Sequence, residues 1–174
     1  MKCYAGIGAR KPPADIEETC GEIGAALGQF GYTLRSGGAD GCDKAFEDGC
    51  NEVEGSKQIF LPWKNFNNNP SRRYLGAIIP KELEDIAAAI YPLWGYVSMA
   101  VKKLHARNVQ QILGEHADDP SDFVVCYTER PYNEPKAIGG TMFGIVLATQ
   151  HKIPVFNLFL PEAEEQFFDF LKTR

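Results

Sequence analysis

The sequence predicts an α/β fold, a parallel sheet with helices packed on both of its faces. Three observations carry the prediction. Short apolar runs alternate with segments whose apolar residues recur at helical spacing, the rhythm of strand–helix–strand units joined by right-handed crossovers. Glycine-containing turns follow three of these runs and precede helices. The chain has 174 residues, 44% apolar and 24% charged, which suits one domain over residues 1–174 around a large core.

In chain order, Cys3 to Ile7 is an apolar run that ends in Gly6-Ile7-Gly8. Pro12-Pro13 opens a helix carried by Ile16, Cys20, Ile23, Leu27 and Phe30, and Gly31 stops it. Tyr32 to Arg35 is a second strand running into Ser36-Gly37-Gly38-Ala39-Asp40-Gly41, and a helix from Asp43 to Val53 carries Ala45, Phe46 and Cys50. Gln58 to Pro62 is a third strand. Residues 63–80 are too polar and turn-rich for a regular element and read as a surface loop or lid. Helical spacing resumes at Lys81 to Ala89 and Val97 to Leu113. Phe123 to Tyr127 is a fourth strand, Gly139-Gly140-Thr141 opens a helix to Thr149, Ile153 to Phe156 is a fifth strand, and Glu162 to Leu171 a last helix.

Composition narrows the function classes. The net charge of −5 offers polyanions no global attraction, so binding nucleic acid would require a local basic patch. Five cysteines, an odd number without CxxC spacing, argue against a disulfide framework and a zinc site. His105, His116 and His151 share no spacing that gathers them on a metal. No cofactor is called for. The longest uncharged stretch, Ile86 to Val101, is broken by Pro92 and Gly95 and is shorter than the roughly 20 apolar residues of a membrane helix. The first residues lack a signal peptide's apolar segment, so a cytoplasmic location without membrane attachment is expected.

The three glycine turns should lie together at the carboxyl edge of the sheet. There, helix amino ends present unpaired N–H groups and glycine admits close approach, the chemistry that holds a phosphate. Gly6, Gly8, Ser36, Gly37, Gly38, Gly139, Gly140 and Thr141 are the candidate cradle. Arg10 and Arg35 flank the first two turns and suit bidentate contact with phosphate, or a surface ion pair. Asp40 is the candidate for ribose hydroxyls; Asp43 reads either as a helix cap or, with Glu47 one turn later, as an acid–base or nucleophilic carboxylate. Trp63 could stack on a base or close the core. Lys102, Lys103 and Arg107 form a basic helical stripe.

The segments 4–10 (YAGIGAR), 34–41 (LRSGGADG), 61–64 (LPWK) and 104–108 (LHARN), with Gly139-Gly140-Thr141, resemble the SLOG superfamily of Rossmann-like proteins. That superfamily joins DNA-processing protein A to the Lonely Guy phosphoribohydrolases, and the likeness is greatest to its small DprA-like members from phages and bacteria. The resemblance implies a Rossmann-like parallel sheet and a small phosphorylated nucleoside as ligand, with self-association for which no sequence feature fixes an interface. Arg107 resembles the arginine of the Lonely Guy Arg-Lys pair, with Asn108 at the lysine. Val146 or Gly144, depending on register, stands where that family's loop glutamate is expected. The reading is therefore a protein that holds, and in a phage setting sequesters, a nucleotide at the carboxyl edge of the sheet. Two alternatives stay open: an N-glycoside hydrolase of nucleoside monophosphates that uses Glu47 or Asp43, and a single-stranded nucleic-acid-binding module.

Overall fold

The computed structural model describes residues 1–129 and 139–174. Its strands are β1 (Cys3–Gly8), β2 (Thr33–Ser36), β3 (Lys57–Leu61), β4 (Arg73–Tyr74), β5 (Phe123–Tyr127) and β6 (Val155–Asn157). Its helices are α1 (Ala14–Gln29), α2 (Cys42–Glu52), α3 (Lys81–Ile90), α4 (Met99–Leu113), α5 (Gly140–Gln150) and α6 (Ala163–Lys172). The strands form one all-parallel sheet in the order β4-β3-β2-β1-β5-β6, the α/β architecture that the alternation predicts. Among the described residues no helix is long and apolar enough to cross a membrane.

Side-chain alternation along the strands sorts the interior into two cores. Tyr4, Leu34, Phe123 and Val125 face the layer of α1, α2 and α6, while Ala5, Ile7, Val124 and Cys126 face α3, α4 and α5. Phe123 is fully buried, stacked on Tyr4 at 5.8 Å and edge-on to Tyr32 at 5.4 Å. Burying such a ring contributes about 1.5–3 kcal/mol relative to exposing it.

Helices α1 and α2 cross so closely that a Cβ on Gly49 would lie 1.9 Å from the carbonyl oxygen of Gly21. Alanine at Gly49 gains about 1 kcal/mol of helix propensity, but the obstacle is backbone, which cannot rotate away. Gly49→Ala is expected to cost about 2 kcal/mol net, at the severe end of overpacking, read as a lower urea midpoint at unchanged m-value.

One strand went unread. Within residues 63–80, Arg73 and Tyr74 pair with Phe60 and Leu61 to extend the sheet. Two residues are too few to show a period, and this edge is set by the backbone: Leu75 N donates to Leu61 O at 3.1 Å and Ser71 Oγ to Ile59 O at 2.5 Å. Phe66, Leu75 and Ile79 are buried and pin the rest of the segment to the body.

From β1 the chain runs outward through β2 and β3 to β4. It returns through α3 and α4 to place β5 on the other side of β1. The direction of winding reverses between β1 and β5, and a crevice opens beyond their carboxyl ends, the place where open parallel sheets hold ligands.

Candidate functional site

A cavity of about 460 Å³ occupies this crevice. It is lined by Ile7, Gly8, Ala9 and Arg10 at the end of β1, by Asp43 of α2, by Thr128 after β5 and by Gly139 to Met142 at the start of α5. One face of α4 forms its wall, with Val101, Leu104, His105, Asn108 and Gln111 at successive helical spacings and Arg107 between them.

The first two glycine turns converge on an anion, and that anion belongs to the chain. The Asp43 carboxylate accepts from the backbone N–H groups of Gly8 (3.3 Å), Gly37 (3.1 Å) and Ala39 (3.4 Å). Gly41, in the left-handed region at φ 76°, bends the chain into α2 so that Asp43 falls in its first turn, where the helix dipole favours negative charge. Arg107 lies opposite, with Nη1 3.7 Å from Asp43 Oδ2, and donates to the carbonyl of Gly37 at 2.6 Å. Gln111, in the amide orientation that satisfies its neighbours, accepts from Arg107 Nη1 at 3.1 Å and from Gly37 N at 2.8 Å. Gly37 must be glycine here, because a Cβ would fall 1.6 Å from Arg107 Nη1.

Burial dominates the electrostatics of this pair. It pushes the Asp43 carboxyl up to about 6, against the pull of Arg107 and the three N–H groups. It also draws Arg107 down to about 10, which Asp43 opposes. The guanidinium stands over the Phe66 ring at 5.6 Å, and its Nε is enclosed with no hydrogen-bond partner among the described residues. His105 stacks on Tyr91 at 4.2 Å and tilts against Phe143 at 5.0 Å; burial, with Arg107 nearby, holds it down at about 4, so the imidazole stays neutral at physiological pH.

At the third turn no acceptor spends the positive groups among the described residues. Gly139 precedes α5 with extended backbone and no side-chain cap, so the first amides of the helix have no side-chain acceptor among the described residues. Asn108 Nδ2 reaches the Gly140 carbonyl at 3.5 Å, and Arg10 on the cavity rim is exposed, with no ion-pair partner among the described residues.

Comparison with solved structures gives the same architecture. DNA processing protein A from Helicobacter pylori, described for its single-stranded DNA binding mode, matches at a TM-score of 0.57 and 18% identity over 97% of this chain and 72% of that one. The molybdenum cofactor carrier protein of Chlamydomonas reinhardtii matches at 0.55 and 19% over 98% and 85%. The structural-genomics target TM1055 matches at 0.53 and 20% over 89% and 72%. The chain shares the fold of these proteins. No family profile and no curated protein matches the sequence.

The fold gathers Gly8, Arg10, Asp43, Arg107, Asn108, Gly139, Gly140 and Thr141 around the cavity, with Gly37 beneath Arg107. It leaves other candidates outside. Arg35 is the clearest correction: β2 alternation turns it away from Leu34 and Ser36, and it is buried against Gln58 (2.9 Å) and Asp119 (2.5 Å), the latter in the connection leading to the amino end of β5. Ser36 spends its hydroxyl on the Gly6 carbonyl at 2.6 Å, and Gly6 makes room for the Phe46 ring. Glu47 binds Lys57 (2.7 Å) and Asn69 (2.8 Å) in a separate polar cleft that also holds Gly38 and Asp40. Trp63 packs edge-on against Phe66 at 5.3 Å, and none of residues 63–80 lines the cavity. Arg107 leaves the basic stripe by being buried, while Lys102 sits over Trp94 at 5.5 Å.

Sequence reasoning missed His105, Gln111 and Thr128 as lining residues. The spacing 101, 104–105, 108, 111 along α4 carried a usable signal, since one helical face bears mostly polar groups in a helix that is otherwise buried. Among the described residues no three His, Cys, Asp or Glu side chains are placed to hold a metal.

Proposed function

We propose that the chain binds a phosphorylated nucleoside in the crevice between β1 and β5, with the phosphate at the amino end of α5 beside Arg10. The observation that carries this reading is the Asp43 carboxylate. It already occupies the amides of the first two turns, so the third turn and Arg10 are the positive groups with capacity to spare among the described residues. The wall of α4, from Val101 and Leu104 to Asn108, then offers the nucleoside an apolar surface ending in an amide. Holding is favoured over cleavage because Asp43, the one carboxylate on the cavity among the described residues, is engaged by three N–H groups and Arg107. Sequestration of the nucleotide follows from binding without turnover.

Calorimetry with a panel of nucleoside monophosphates, followed by chromatography of the mixtures, tests the reading. Saturable heat at one ligand per chain with no free base is expected, and Arg10→Ala should weaken it by about 1.5–3 kcal/mol, as for loss of a charged hydrogen bond. Release of base would establish the hydrolase. Affinity confined to oligonucleotides and falling steeply with salt would establish the nucleic-acid module.

A further inference from the structure

We infer, taking the phosphate at the amino end of α5 as proposed above, that His105 is a third kind of donor to that phosphate and makes the site select a phosphate monoester over a diester. His105 lines the cavity but is only 5% exposed. Its Nδ1 is enclosed with no hydrogen-bond partner among the described residues. Such an atom has lost its water without gaining a partner, which lowers stability. An apolar ring between Tyr91 and Phe143 would fill the same place without that loss. A polar ring that serves the fold less well than an apolar one points to a ligand.

The surroundings of the ring fix what it offers. Neutral at physiological pH, the imidazole carries one N–H. On Nδ1 that proton would be an enclosed donor without an acceptor, so it sits on Nε2. Tyr91 and Phe143 cover the faces of the ring and Nδ1 is shut in, which leaves the Nε2 edge to line the cavity. Phe143 belongs to the first turn of α5, and its own N–H already donates to the Gly139 carbonyl at 2.9 Å. The imidazole therefore stands beside the amides that precede Phe143, which have no side-chain acceptor among the described residues. Asn108, three residues further along α4 and about 4.5 Å down its axis, reaches the Gly140 carbonyl and sets α4 at the same level. Three kinds of donor then face one anion: the α5 amides, the Arg10 guanidinium and the His105 N–H. A monoester brings three terminal oxygens, one for each. A diester brings two, with a carbon substituent in place of the third, and leaves a buried donor unpaired.

Calorimetry with adenosine, guanosine, cytidine and uridine 5′-monophosphates, each beside its methyl phosphodiester, tests this. The wild type should bind the monoester at least tenfold more tightly than the methyl ester. His105→Phe keeps a ring between Tyr91 and Phe143 and removes the N–H. It should bind the monoester at least tenfold more weakly than the wild type does, and the methyl ester within about threefold. Proton–nitrogen correlation spectra of the labelled wild type give a readout that needs no variant to fold. Of its three histidines, His116 and His151 are exposed; the third should carry its proton on Nε2, and that resonance should shift when the monoester is added. A proton on Nδ1, or an Nε2 resonance that a bound monoester leaves in place, overturns the inference. So does a wild type that binds monoester and methyl ester alike, or a His105→Phe variant that keeps both affinities or loses both equally; the crevice then still holds a phosphate, without His105. A wild type that binds no monophosphate overturns the crevice reading and the role of His105 together.

Discussion

Replacing Asp43 with alanine is expected to remove about 3–5 kcal/mol of folding stability at neutral pH, the usual cost of stripping one partner from a buried ion pair. That is a large part of the total 5–15 kcal/mol of an ordinary domain. Arg107 cannot escape by losing its proton, because even its lowered value of about 10 lies far above neutrality. The N–H groups of Gly8, Gly37 and Ala39 also lose their carboxylate acceptor. Asp43→Asn keeps one oxygen for those amides and should cost less. The pH dependence separates charge from shape. Folded Asp43 holds its proton up to about 6, against 3.8 for an unperturbed carboxyl. Between these values the folded chain binds more protons than the unfolded one, so this group's contribution to stability falls as pH rises, by at most about 1.4 kcal/mol per pH unit. Urea titrations should show the gap between the wild type and either variant widening as pH falls through about 6, because neither variant titrates there. A gap that is constant with pH would mean that Asp43 is not held near 6. Arg107→Met should move the transition upward, since Arg107 is the largest influence pulling it down.

Asp43 also shows what a sequence can and cannot disclose. Its place after a glycine turn marked it as a helix cap or a catalytic carboxylate. That it serves as the anion for two turns at once depends on Gly8 and Gly37 lying side by side, and only the β1–β2 pairing brings that about. The strands were legible where they are long and buried, as at Cys3–Gly8 and Phe123–Tyr127, because five or six consecutive apolar residues bounded by turns leave few other readings. Strand β4 was not, because its two residues are fixed by hydrogen bonds rather than by pattern. Arg35 misled for a related reason. Its position at the end of a strand next to a glycine turn suggested a phosphate ligand, but the side of the sheet it faces follows from register. The long-range partner that neutralises it, Asp119, is 84 residues away in sequence. The third turn was legible in kind, while its lack of a side-chain acceptor among the described residues stood out only once the first two turns proved to be filled.

Gly140→Asp is expected to abolish anion binding while leaving the fold as stable as before or slightly more so. The two effects have one origin, the positive amino end of α5. A carboxylate in the first turn of a helix gains about 0.3–1 kcal/mol from the dipole, and aspartate also has a modestly better helix propensity than glycine. The new Cβ would lie 3.1 Å from Asn108 Nδ2, the far end of a side chain that can yield, and Gly140 is exposed. A phosphate at the same amides would meet this fixed negative charge at about 4 Å, a repulsion of about 4 kcal/mol at an effective dielectric of 20, so affinity should fall at least a hundredfold. Gly140→Asn has the same shape without the charge and should stay within about threefold of the wild type. Thermal melts and calorimetry with a nucleoside monophosphate that binds the wild type read both quantities. Equal losses in the two variants would assign the effect to crowding against Asn108. Unchanged affinity in both would move the phosphate off α5 and leave Arg10 without its partner in the site. Loss in the aspartate variant alone, with a melting temperature at or above that of the wild type, isolates the helix end as the anion's seat, because damage to the fold would lower both together.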